Sequence, residues 1–129
     1  MRALLAGRRI LVVEDEMLVL MNIEMELDDL GCSTVHAAAS VAEALVLLGN
    51  YRFDAAMIDV NLGGEKSYPV ADELLRRGIP FAFSTGYGDH GDRTDLDRWP
   101  VLRKPYRRAD LVAVFKRLLP DGPSPAAVS

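Results

Sequence analysis

Glu14-Asp15, Asp59, Thr85 and Lys104-Pro105 are far apart in the chain, yet each follows a short apolar run directly or after one residue. The runs are Ile10-Leu11-Val12-Val13, Ala55-Ala56-Met57-Ile58, Phe81-Ala82-Phe83 and Val101-Leu102. Carboxylates, a hydroxyl and an amine are the groups needed to handle a phosphoryl group and a divalent cation. Carboxylates gathered in one place repel each other, and one would hold its proton unless a cation sat among them. Magnesium suits such a set, because it is a hard ion that takes oxygen ligands and keeps several waters. With the cation in place, Asp59 could act as a carboxylate nucleophile toward phosphorus. A cation, an amine and a hydroxyl are what the charged equatorial oxygens of that transition state require.

Five elements of one kind and their connections must bring these residues together. Short apolar runs alternate five times with longer amphipathic ones, the pattern of a parallel α/β sheet. The first strand is predicted over Arg9 to Val13, followed by a helix from about Glu16 to Leu30 that stops at Gly31. A second strand is predicted over Ser33 to Ala37. Ser40-Val41-Ala42-Glu43 then has the form of a capping box and opens a helix ending near Gly49-Asn50. The third strand, near Asp54 to Asp59, is apolar through its middle, as suits a strand covered on both faces. A loop containing Gly63-Gly64 leads to a helix over Ser67 to Arg77, with Pro69 in its first turn. The fourth strand is Phe81 to Ser84. The fifth is Val101 to Arg103, followed by a helix from about Arg107 to Leu119. Between them the glycine-rich stretch from Gly86 to Asp92 leaves room only for a short or frayed fourth helix, around Arg93 to Arg98.

Five such units suit a doubly wound sheet with strand order 2-1-3-4-5 and helices on both faces. Neighbouring strands lie about 4.8 Å apart, so Glu14-Asp15, Asp59, Thr85 and Lys104 would line the carboxyl edge in that order. This edge, beside the switch point of the strand order, is where ligands bind in such folds. Lys104 starts roughly 10 Å from Asp59, a gap its flexible stem can close.

At 129 residues the chain suits one domain, expected over residues 9–119, with an N-terminal extension at 1–8 and a disordered tail at 120–129. A net charge of −4 argues against nucleic acid or an anionic membrane as partner. The cluster Arg103-Lys104 with Arg107-Arg108 is a local exception, read as a solvated helix start. One cysteine, Cys32, excludes an internal disulfide, and its expected place in a strand beside Val35 suggests a buried thiol. No apolar run approaches the ~20 residues of a membrane span. Arg8-Arg9 and Glu14-Asp15 break any signal peptide, so a cytoplasmic location is expected.

These residues resemble the receiver domain of two-component response regulators, from about Arg9 to Leu119. The family pattern has an acidic pair after strand 1, an aspartate after strand 3, Thr or Ser after strand 4, and Lys-Pro after strand 5. All are present. The resemblance implies that Asp59 is the phosphoacceptor and that Glu14, Asp15 and Asp59 hold Mg2+ with the backbone carbonyl of Asn61. It also implies that Thr85 and Lys104 contact the phosphoryl group and that the Lys104-Pro105 bond is cis. The partners it implies are a sensor histidine kinase or phosphotransfer protein, and a downstream regulatory protein. The chain would then be a stand-alone phosphoacceptor with self-catalysed transfer and autodephosphorylation, not a turnover enzyme. It could alternatively serve as a phosphate sink.

One position departs from the family. Receivers usually carry an aromatic three residues before the lysine, and here that residue is Val101. Phe83-Ser84-Thr85-Gly86-Tyr87 instead resembles the subfamily named for a Phe-Ala-Thr-Gly-Tyr motif, with Ser84 replacing alanine. The expected switch residues are therefore Thr85, Gly86, Tyr87 and Val101, with Tyr87 standing in for the missing aromatic.

Taken singly, each residue has a plainer reading. Glu14-Asp15 could be solvated acids at a helix start, Asp59 a turn cap, and Lys104-Pro105 an ordinary strand end. His36 and His90 lack a second ligand at metal spacing, and Trp99 suits packing. Two other functions remain open: a phosphorylation-independent interaction domain, and a flavodoxin-like cofactor module. The second would place acids where a phosphate-cradling loop is needed. No Walker loop, GxGxxG fingerprint or GxSxG elbow is present.

Overall fold

The computed structural model describes residues 3–32, 34–86 and 99–122. Five parallel strands form the sheet: β1 (Arg9–Val13), β2 (Thr34–Ala38), β3 (Ala55–Asp59), β6 (Phe81–Thr85) and β7 (Val101–Arg103). The helices are α1 (Met17–Asp29), α2 (Val41–Asn50), α3 (Tyr68–Arg77) and α4 (Arg108–Leu118). The strand order is β2-β1-β3-β6-β7, which is the predicted 2-1-3-4-5. Tyr87, His90 and the expected short helix at Arg93 to Arg98 lie outside the described residues, as does the tail from residue 123.

Beyond shifts of one residue at element ends, such as the fourth strand's reaching Thr85, two differences separate this from the sequence reading. The second strand starts at Thr34 and runs to Ala38, pairing in register with Arg9 to Val13. The Gly63-Gly64 segment, predicted as a loop, is the turn of a small antiparallel hairpin, β4 (Asn61–Leu62) with β5 (Glu65–Lys66). Strands of two residues carry no periodicity, so no pattern could have revealed them.

Alternation along the strands divides the core into two layers. Leu11, Val13, Ala56, Ile58, Phe81 and Phe83 face the α2/α3 side. Ile10, Val12, Ala55, Met57, Ala82 and Leu102 face α1 and α4. Each alternation continues to the strand ends, and this settles which polar residues share a side. After Val12, Met57, Ala82 and Leu102, the next residues on the α1/α4 side are Glu14, Asp59, Ser84 and Lys104.

The helices begin and end for local reasons. Ser40 Oγ accepts the Glu43 amide at 3.1 Å, while Glu43 Oε2 accepts the Ala39 amide at 3.2 Å, so the box closes one residue earlier than its usual form. Gly78 ends α3 with φ of 69°, a left-handed conformation suited to glycine. Arg108 at the start of α4 reaches α1, where its Nε donates to Glu26 at 2.6 Å and its Nη2 pairs with Asp29. That part of the basic cluster therefore ties two helices together.

The extension before β1 packs onto the domain. Leu5 is fully buried and its amide donates to the Leu30 carbonyl at 2.9 Å. Arg8 bonds Asp54 Oδ1 at 3.2 Å and the Gly122 carbonyl at 2.8 Å, joining both ends of the described chain at the amino edge of the sheet. Cys32 is buried, and burial raises its thiol pKa. Among the described residues no helix is long and apolar enough to cross a membrane.

Candidate functional site

The carboxyl edge of the sheet gathers four of the singled-out residues into one small volume. Asp59 ends β3 and is 3% exposed, although it is a carboxylate. Burial of this kind requires partners. The Lys104 ammonium supplies one, donating from Nζ to Asp59 Oδ2 at 2.9 Å. The Asn61 amide supplies the other, donating to Asp59 Oδ1 at 3.1 Å. Asn61 is itself held by its side chain, whose Oδ1 accepts the Gly64 amide at 2.9 Å.

Lys104 is shared. Its Nζ also stands 2.8 Å from Glu14 Oε1 and 3.9 Å from Glu16 Oε1. Burial alone would lower the ammonium's pKa. The hydrogen bond to Asp59 and the close pairing with Glu14 outweigh that effect and hold it above its ordinary range. Glu14 behaves differently. Burial is the main cause that pushes its carboxyl up to about 7, with the Asp59 charge adding to it. Hydrogen bonds from Lys104 and the Glu16 amide act in the lowering direction.

Glu14, Asp15 and Asp59 each offer a carboxylate oxygen, and these oxygens lie within 4.8 Å of one another. Two of the three residues are buried and Asp15 is exposed, so the cluster opens toward solvent on the Asp15 side. Hard oxygen donors at this spacing fit a divalent cation such as magnesium. The hairpin closes near them: a Cβ on Gly63, where φ is +60°, would stand 3.4 Å from Asp15 Oδ2.

Thr85 ends β6 on the opposite side of the strand from Ser84 and is buried, and its carbonyl accepts the Lys104 amide at 2.8 Å. The Lys104-Pro105 peptide bond is cis. Val101 lies on the edge strand and is 49% exposed, so this position is a surface position here. Gly86 follows Thr85, and Tyr87 falls outside the described residues.

Two further polar residues adjoin the site. Ser84 is the direct ladder partner of Asp59 in the β3/β6 register. Tyr106 follows Lys104 by two residues, and burial pushes its phenol up to about 12, with Ser84 acting in the lowering direction. The sequence held a signal for Ser84, as the substitution within the Phe-Ala-Thr-Gly-Tyr pattern. It held none for Tyr106.

A family model for the response regulator receiver domain matches residues 10–116. The chain belongs to this family. Receiver domains act as phosphoacceptors and interact with histidine kinases or phosphotransfer proteins. Among solved structures, the receiver SdrG from Sphingomonas melonis Fr1 is 41% identical, with a TM-score of 0.80. That comparison covers 91% of this chain and 98% of SdrG. The BeF3-activated conformation of SdrG, given as from Pseudomonas melonis Fr1, is 42% identical over 88% of this chain and 98% of that one, with a TM-score of 0.75. The receiver domain of sensor histidine kinase PA1611 from Pseudomonas aeruginosa PAO1 is 29% identical, with a TM-score of 0.76. It covers 89% of this chain and 99% of its own, and it carries a magnesium ion coordinated in its active site cleft. No curated protein sequence matches this chain.

Proposed function

We propose that this receiver accepts a phosphoryl group on Asp59 from a histidine kinase or phosphotransfer protein, and that the modified domain acts by changing its protein contacts. One observation carries the reading. A carboxylate that is 3% exposed is held in place by an ammonium at 2.9 Å and an amide at 3.1 Å, beside further carboxylates able to hold a cation.

The chemistry follows from those positions. An Asp59 oxygen attacks phosphorus in line, the bond from phosphorus to the donor nitrogen breaks, and the donor keeps that electron pair. Glu14, Asp15 and Asp59 would hold magnesium, together with the Asn61 carbonyl. When bound, the metal offsets the negative charge of the transferring group. Lys104 then turns its ammonium toward the new phosphoryl oxygens, and Thr85 meets them from the other side of β6. Acetyl phosphate, a small donor, should label the protein in the presence of magnesium, and Asp59→Asn should abolish the label. Undiminished labelling of that variant sinks the assignment.

The donor's docking surface is α1. Met17, Leu18, Met21 and Met25 are 67%, 81%, 51% and 67% exposed, and the three methionines recur every fourth residue. A helix leaves such a stripe in water at a cost unless a partner covers it. The stripe continues into a hollow of about 240 Å³ lined by Leu18, Val19, Asn22, Lys104, Pro105 and Tyr106, which leads from the helix to the lysine of the site. A helical partner presenting a phosphorylated side chain would cover both.

A further inference from the structure

Ser84 and Tyr106 each bury a hydroxyl oxygen that has no hydrogen-bond partner among the described residues. Such groups are costly in a folded protein and ask for an explanation. The register places Ser84 beside Asp59, on the side of the sheet that also carries Glu14 and Lys104. The Tyr106 ring packs against the α1/α4 core layer and lines the hollow beside Lys104. Its phenol feels the Ser84 hydroxyl and the charges of Glu14, Lys104 and Asp59. Register and hollow therefore bring both hydroxyl-bearing residues to the neighbourhood of the ion-paired ammonium, Ser84 beside Asp59 and Tyr106 beside Lys104.

We infer that Ser84 and Tyr106 are positioning residues for Lys104, a hydroxyl pair that steadies the ammonium as it leaves the carboxylates and turns toward the phosphoryl group. The inference rests on Asp59 being the acceptor. In the unmodified site Lys104 is divided almost evenly between Glu14 at 2.8 Å and Asp59 at 2.9 Å, so small forces decide where it points. Hydroxyls can both donate and accept. A pair of them can accept from the ammonium, or donate to Glu14 once the lysine has moved away. Alanine at position 84 could do neither, nor could phenylalanine at 106. The serine that breaks the Phe-Ala-Thr-Gly-Tyr pattern thereby acquires a role beside the acceptor.

Ser84→Ala, Tyr106→Phe and the double variant test this. The readouts are labelling by acetyl phosphate with magnesium, the decay of the label, and the nitrogen NMR signal of the Lys104 ammonium in metal-free protein. Each single variant should slow labelling at least about threefold, the low end of one hydrogen bond's contribution, and should shift the Lys104 signal. The double variant should be no slower than the slower single, because the hydroxyls act as one unit. Ser84→Ala should also melt at or above the parent temperature, since it removes an unpaired buried hydroxyl. A merely structural serine would lower stability and leave the lysine signal in place.

Parent-like labelling together with an unmoved Lys104 signal in both single variants overturns the inference. Effects that multiply in the double variant overturn it too. If Ser84→Ala fails to fold, Tyr106→Phe, which keeps the ring, decides by the same two readouts. A parent protein that takes no label overturns the acceptor reading itself. The ammonium signal still reports there whether the hydroxyls position the lysine.

Discussion

Lys104 Nζ stands 2.8 Å from Glu14 Oε1, as close as it stands to the proposed acceptor Asp59. The two buried carboxylates are thus bridged by a cation of the protein's own before any metal or phosphoryl group arrives. Lys104→Ala would leave two buried carboxylates facing each other. Metal-free stability should fall by roughly 3 kcal/mol, as expected when one member of a buried ion pair is removed. Magnesium should bind the variant more tightly than the parent, while labelling slows. Urea denaturation and magnesium titration check the pair of effects, and a weaker magnesium affinity would contradict this picture.

The raised carboxyl of Glu14 gives a pH dependence whose sign can be worked out. The ordinary value is 4.5 and the folded value is about 7, so between these the folded protein holds the extra proton. Stability of metal-free protein should therefore fall as pH rises from about 4.5 to about 7, since the folded state binds more protons there. A proton also competes with the cation in that window, so magnesium affinity should rise with pH. Melting curves across the window check the first effect, and Glu14→Gln should flatten both.

The exposed stripe on α1 predicts a separation between donors. Leu18→Arg places a charge where an apolar partner surface should sit. Transfer from a phosphorylated kinase domain should drop about tenfold relative to labelling by acetyl phosphate, the loss expected of one well-covered contact. Equal changes for the two donors would remove α1 from the docking surface.

Gly31 tests the packed N-terminal segment. Its φ is +90°, and an added Cβ would stand 2.4 Å from Ala3 Cβ, too close for either to remain. Gly31→Ala should cost about 1–3 kcal/mol through backbone strain, with more from the displaced segment. Denaturant unfolding reads the loss, and the label on Asp59 should persist in whatever protein stays folded.

Much of this molecule was legible in the chain because apolar runs and their polar endings carry the same information. Met57 and Ile58 demand two covered faces, and Asp59 marks where the apolar run stops. Repetition of that pattern yields strand order and, through it, the neighbours along the carboxyl edge. Side-chain reach was less legible. From strand spacing Lys104 begins roughly 10 Å from Asp59, and nothing in the sequence says that it pairs with Glu14 as well. The β4–β5 hairpin escaped because two residues cannot show a period. Tyr106 escaped because a tyrosine after Lys-Pro reads as packing until its buried hydroxyl is found beside the hollow that holds Lys104.

The clasp made by Arg8 sets the direction in which this domain can be elaborated. It draws residues 3–8 and Gly122 together at the amino edge of β1, five strand residues away from Glu14 and Asp59. At about 3.3 Å per residue that is some 17 Å, the full height of the sheet. Any cargo joined directly before Ala3 or after Gly122, whether a fluorescent reporter, a surface tether or another folded module, would hang from the base of the domain. The opposite rim would stay open to a bulky donor.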